Sequence, residues 1–346
     1  MRTFIVWVGV AACLSACQPN SSISTADANS AQVTDTTIVQ QSKVSETQRL
    51  NEWFAVKYEQ QLQSNPIMLT FLGRKEKYDQ INNMTQAFEK EQLVLAAKSV
   101  EELKANFDYS KLTAEGKISY DIWIYQYEQA QAGQKFNSNG YVFTQFNGIQ
   151  AFLAQFLINF HKVDELSDMQ AYIKRIAGVS TAISQLLVRA KENAAAGTRP
   201  PKFSYEGVIA QSKNLITGRP FSSDEDAADT PLWADAKRKV KGLVDAKKIT
   251  AEQAKLLTAE AKAQLVKTFL PTYQTLITWF ERDIVNTVTN PTGVAAQTNG
   301  LAFYDYKLET STTTKFSADE IHQIGLQEVA RITKEMLDIK NRVGFK

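Results

Sequence analysis

Two cysteines and two histidines are all that this 346-residue chain holds of the residues that most often carry thiol or metal chemistry. A hydrolytic zinc site needs about three His or carboxylate ligands, commonly two His one helical turn apart. His161 and His322 each lack a second histidine at helical spacing, and no HExxH occurs, so an autonomous zinc hydrolase is not expected. A GxSxG elbow, a GxGxxG turn after a strand and a phosphate loop are missing too, which removes the commonest serine-hydrolase, dinucleotide and nucleotide readings. Charge of one sign is equally scarce. The 39 Lys+Arg and 37 Asp+Glu leave a net charge of +2 and interleave along helical segments, so nucleic acid is not expected as a partner. Acidic pairs such as Glu89 with Glu91 and Glu101 with Glu102 read as solvated helix faces, because tuning them as acid and base requires burial that no sequence pattern shows.

What is present at the N-terminus is an export signal. Arg2 precedes an uncharged run from Phe4 to Ala16 that is too short to span a bilayer, and small residues precede the cut. Leu14-Ser15-Ala16-Cys17 resembles the lipobox of bacterial lipoproteins, so residues 1–16 are expected to be removed and Cys17 to take the lipid. Gln18, which is not an aspartate, favours the outer membrane facing the periplasm over the inner one. The other cysteine, Cys13, lies in the discarded segment, so the mature chain is left with one thiol and no internal disulfide. Residues 17–43, rich in Ser, Thr, Asn, Gln, Asp and Ala without sustained periodicity, read as a flexible tether.

Residues 44–346 form a body long enough for a large core, and its dominant period is helical. Ser45 with Gln48 makes a capping box before the stripe Leu50, Trp53, Phe54, Tyr58 and Leu62, which Asn65-Pro66 ends. Leu93, Ala96, Ala97, Val100, Leu103 and Phe107 repeat the spacing. Thr113 is placed to cap a helix whose expected core face is Ile118, Ile122 and Tyr125. The apolar stretch from Gly148 to Phe160 predicts a buried helix with His161 at its end. Asp168 is expected to cap the next helix, with the stripe Tyr172, Ile173, Ile176, Ile183, Leu187 and Ala190. A short helix at about 205–216, an acidic loop to Pro231 and another short helix from Leu232 lead to a capping box at Thr250 and Gln253. There a long helix starts, with Pro271 expected to kink or divide it. Alternation of Tyr304, Tyr306 and Leu308 predicts a short strand and a β-hairpin-like arm near 300–310. Ser317 with Glu320 then caps a helix with Ile321, Gly325, Val329, Ile332, Met336, Ile339 and Val343 on one face. The expected class is all-α, a multi-helix array.

The residues Phe303-Tyr304-Asp305-Tyr306-Lys307-Leu308, the run Thr312-Thr313-Thr314 and the stretch Ser317 to Val329 resemble the domain of unknown function 885 family. The likeness continues through Arg331, Ile332, Glu335, Met336 and Gly344-Phe345. Upstream, Pro66 with Leu72-Gly73, the Leu112 to Asp121 segment, Gly148 with Gln150, Asp168 with Tyr172 and Arg175, Gly197 with Pro200-Pro201, and Pro271-Thr272-Tyr273 are similar in the same order. The resemblance implies an exported or lipid-anchored helical protein like the zinc metallopeptidases, with a His-Glu-x-x-x-x-His-type motif in a second half that these residues do not include. It therefore implies zinc for that other half alone and assigns no catalytic or metal residue to this chain.

The expectation is an N-terminal half, inactive by itself, that helps to wall a cleft and meets the missing half or a peptide ligand, with exposed apolar surface marking the contact. Tyr304 and His322 are the candidate groove-facing residues, as polar side chains on an irregular arm and at a helix start. The alternative is a stand-alone periplasmic helical lipoprotein that binds a partner without chemistry.

Overall fold

The computed structural model describes residues 44–345, and the expected signal peptide, Cys17 and the expected tether lie outside them. Among the described residues the fold is all-α. The helices are α1 (Glu46–Gln63), α2 (Pro66–Phe71), α3 (Gln86–Asn106), α4 (Ala114–Ala132), α5 (Ile149–Phe160), α6 (Leu166–Ala195), α7 (Lys202–Ile216), α8 (Pro231–Asp245), α9 (Ala251–Gln264), α10 (Leu270–Asp283), α11 (Gly300–Thr312) and α12 (Ala318–Arg342). Extended pairing is limited, among these residues, to one isolated bridge between Arg219 and Asp229.

Local chemistry starts several of these helices where their side chains direct. The hydroxyls of Ser45, Thr113, Thr250 and Ser317 each accept from the backbone N–H three residues on. Thr250 with Gln253 and Ser317 with Glu320 close complete capping boxes. Asp168 is not the cap expected. Glu165 holds the N-cap of α6 and Asp168 is the third helical residue, whose carboxylate reaches back to the Glu165 N–H at 3.1 Å. The acid therefore accepts from the N–H groups of Asp164 and Glu165, ahead of the helix, and not from those that follow it.

The main core is organised around α6, whose Met169, Tyr172, Ile176, Val179, Ile183 and Leu187 are buried and which packs on α5, α8, α9 and α10. Burying side chains of this size stabilises the fold by about 1.5–3 kcal/mol each, which is why a 30-residue helix of only average propensity holds its place here. A second, smaller core joins α1, α3 and α4 through Leu50, Leu103, Phe107, Leu112 and Tyr120, with Trp53, Phe54 and Trp123 packed against it. Of the α4 face expected from Ile118, Ile122 and Tyr125, the two isoleucines are turned outward, 59% and 42% exposed, while Tyr125 is half-buried. Tyr120 is buried instead, and Trp123 packs with it. Apolar residues occur on two sides of α4, and the rings of Trp53 and Phe54, 5.4 and 5.2 Å from Trp123, select the aromatic side.

Helix α9 runs into α10 through a π-helical turn, Leu265–Phe269, just before Pro271. The proline has no N–H to give and its ring needs room, so the ladder widens by one residue. The strand expected at 303–308 is α11 instead. Phe303 is buried and packs on Phe136, while the Tyr306 hydroxyl donates to the Gln129 carbonyl at 2.9 Å. Three residues separate Phe303 from Tyr306, a helical interval, so docking on the end of α4 overrides the period-two pattern.

Candidate functional site

A buried polar knot lies where α2, α5 and α6 meet. Arg175 on α6 is fully buried, and among the described residues no carboxylate lies within ion-pair distance of it. Its guanidinium donates to Gln80 O (2.9 Å), Thr70 Oγ1 (2.8 Å), Pro66 O (3.4 Å) and His161 Nδ1 (3.0 Å). Tyr78 and Phe156 present their ring faces to it at 4.7 and 5.3 Å. Because arginine only donates, His161 Nδ1 must accept, which leaves Nε2–H to donate to the Asp168 carbonyl at 2.9 Å. His161 is the C-cap of α5, 1% exposed, and stacks on Tyr78 with centroids 4.0 Å apart. Burial, reinforced by the neighbouring guanidinium, lowers its pKa to about 3 against the pull of the Asp168 carbonyl. Burial likewise lowers Arg175 to about 10.

Beside it, Lys239 on α8 donates to Leu157 O (3.0 Å) and Ile158 O (3.1 Å), the open carbonyls at the end of α5, and pairs with Asp235. Tyr172 donates to the same Asp235 carboxylate at 2.9 Å. Each of these groups is spent on holding α5 against its neighbours. The knot is a fastening for α2, α5, α6 and α8, with no face left open to a substrate.

The donor set does not fit a metal. Among the described residues no group of three or more His, Cys, Asp or Glu could hold an ion. His161 is committed on both nitrogens, and His322 sits exposed in the second turn of α12. Tyr304, 42% exposed on α11, is the other groove candidate, and the structure records no contact between the two. An open groove of about 840 Å³ runs between α7, the 217–230 loop and α10, lined among others by Lys213, Phe221, Gln274, Thr278 and Glu281. Lys213 and Glu281 pair at 2.7 Å, and neither Tyr304 nor His322 lines the groove. Sequence reasoning did not single out these residues, since helical spacing gives no sign that α7 and α10 lie side by side.

The surface that stands out is α12. From His322 through Phe345 every residue is exposed, including Ile324, Leu326, Val329, Ile332, Met336, Ile339 and Val343. This apolar face lies outside both cores. No helix among the described residues is long and apolar enough to cross a membrane.

Comparison with known proteins agrees with this architecture. A solved structure described as a "putative lipoprotein from Colwellia psychrerythraea" superposes with a TM-score of 0.69 at 18% identity. The match covers 88% of this chain and 52% of that one, so the chain spans about half the length of the protein whose fold it shares. No curated protein matches. The family described as "Bacterial protein of unknown function (DUF885)" matches residues 66–346, from the proline that opens α2 through the whole of α12, and the chain therefore belongs to the DUF885 family.

Proposed function

We propose that this chain is the helical, non-catalytic half of an exported hydrolase of metallopeptidase type, held to the cell envelope by lipid on Cys17. The observation that carries the reading is that one fold is shared with a chain of which only 52% is matched, while the matched part supplies no set of metal donors among its described residues. On this reading the described helices act as a scaffold. Helix α11, anchored by the Tyr306 hydroxyl on Gln129, leads into α12, and the two helices form one wall of a cleft. Tyr304 and His322, exposed on these successive helices, face the substrate from that wall, and the reactive metal belongs to polypeptide outside the described residues. The lipobox-like Leu14-Ser15-Ala16-Cys17 and the Gln18 that follows support attachment to the outer membrane on the periplasmic side.

Two measurements test the proposal. Metabolic labelling with a clickable palmitate should mark the wild-type chain and leave Cys17→Ser unlabelled and free of the membrane fraction; label retained by the variant overturns the anchoring. Metal analysis of the purified chain, with hydrolysis of short peptides followed in the presence and absence of chelator, should give neither bound zinc nor chelator-sensitive turnover. Stoichiometric zinc with turnover would show a complete enzyme and overturn the half-site reading.

A further inference from the structure

The sequence of α12 places Gly325, Val329, Ile332, Met336, Ile339 and Val343 at successive spacings of four, three, four, three and four residues. That is the spacing of a seam that takes the side chains of one facing helix as knobs into holes, narrower than the broad stripe that packs on a layered core. Nothing in the described structure fills it. Gly325 adds a second signal. A Cβ built there meets nothing within 4 Å, and its φ is not positive, so neither the fold nor the backbone asks for glycine. A glycine in a helix interior costs about 1 kcal/mol relative to alanine. On a seam that cost is offset when a second helix approaches closely over the missing side chain.

We infer that the 325–343 seam of α12 is a docking surface for a single helix from the unmatched part of the fold, polypeptide of the kind that the Colwellia psychrerythraea structure carries outside its matched half. This identification rests on the half-hydrolase reading above and names the contact through which the two halves would join. Three observations choose this occupant. The family match runs to residue 346 and so takes in α12, which makes the helix part of the family's sequence pattern. The solved structure has about as much polypeptide outside the match as inside it. The helix is also built to stand ready before it is covered. Its Ser317–Glu320 capping box closes its start, and Arg331 pairs with Glu328 (2.6 Å) and Glu335 (2.7 Å) on one flank of the seam. Upstream, the Tyr306 contact on Gln129 anchors α11 and so fixes where α12 begins.

The test has two arms. In the Colwellia psychrerythraea structure superposed on α1–α11, the helix at the position of α12 should have its seam buried by residues outside the matched half; a helix bare to solvent there, or covered only by the matched half, overturns the inference. In solution, the purified full chain should sediment as a monomer and bind an apolar-surface dye. Val329→Asp/Met336→Asp should lose most of that dye signal with its melting temperature unchanged, because both positions are exposed. A concentration-dependent dimer that the double variant dissolves would assign the face to a second copy of the chain and overturn the inference as well. These readouts are independent of zinc and turnover, so failure of the docking surface and failure of the hydrolase reading are told apart.

Discussion

Arg175 and His161 lie 14 residues apart and belong to different helices, yet each decides what the other can be. A guanidinium buried without a carboxylate survives only if every donor finds an oxygen or a neutral ring nitrogen, and His161 provides one as long as it stays uncharged. Protonating it would set two cations 3.0 Å apart and remove the acceptor. In the unfolded chain the imidazole takes its proton near 6.5, whereas in the folded chain it resists until about pH 3. The contribution to stability is therefore complete above pH 6.5 and is lost as pH falls through that window, at about 1.4 kcal/mol per pH unit. His161→Gln can accept from Arg175 and donate to Asp168 without titrating. Urea unfolding followed from pH 7 to pH 4 should show the wild type losing stability more steeply than this variant, and parallel curves would contradict the assignment. None of this was legible in the sequence, where His161 reads as a helix-end residue. That much is correct, but its partner is set by the turn between α5 and α6.

At the scale of elements, the legible features were those written within one or two turns. Ser45, Thr113, Thr250 and Ser317 cap where their spacing said they would, because a cap bonds to a backbone N–H three residues away and needs no distant partner. Two features failed for one physical reason. The alternation of Tyr304, Tyr306 and Leu308 suggested a strand, and the Ile118–Ile122 stripe suggested a core face. A period shows which residues share a side and is silent on which side is covered. Contacts with Gln129, Phe136, Trp53 and Phe54 settled both. The start of α11 depends on a close approach: a Cβ at Gly300 would lie 2.0 Å from Val294 O, a backbone atom that cannot rotate away. Gly300→Ala should therefore detach α11 locally, costing about 1–3 kcal/mol and exposing residues 290–312 to limited proteolysis, with the α6-centred core intact. Cleavage at the wild-type rate would show that the approach can relax.

For the whole molecule, stability and docking reside in different places. The two cores draw their residues from α1 to α10 and the turns between them, α11 is held separately by Phe303 on Phe136, and α12 adds no buried residue. A chain ended after Phe316 should melt within about 2 °C of the full chain, because exposed residues contribute within about 0.5 kcal/mol of zero. A larger drop would mean that α12 is packed in solution. The sequence by itself determined the helical class, the caps at Ser45, Thr113, Thr250 and Ser317, the lipobox-like start and the poverty in histidine, since each is written in local spacing or in composition. Only the tertiary structure decided that His161 and Arg175 share one buried knot, that α11 is a helix, and that α12 keeps its apolar seam bare. Those outcomes depend on which surfaces remain to be covered once the larger helices have packed, and contact between distant segments leaves no periodic trace in either one.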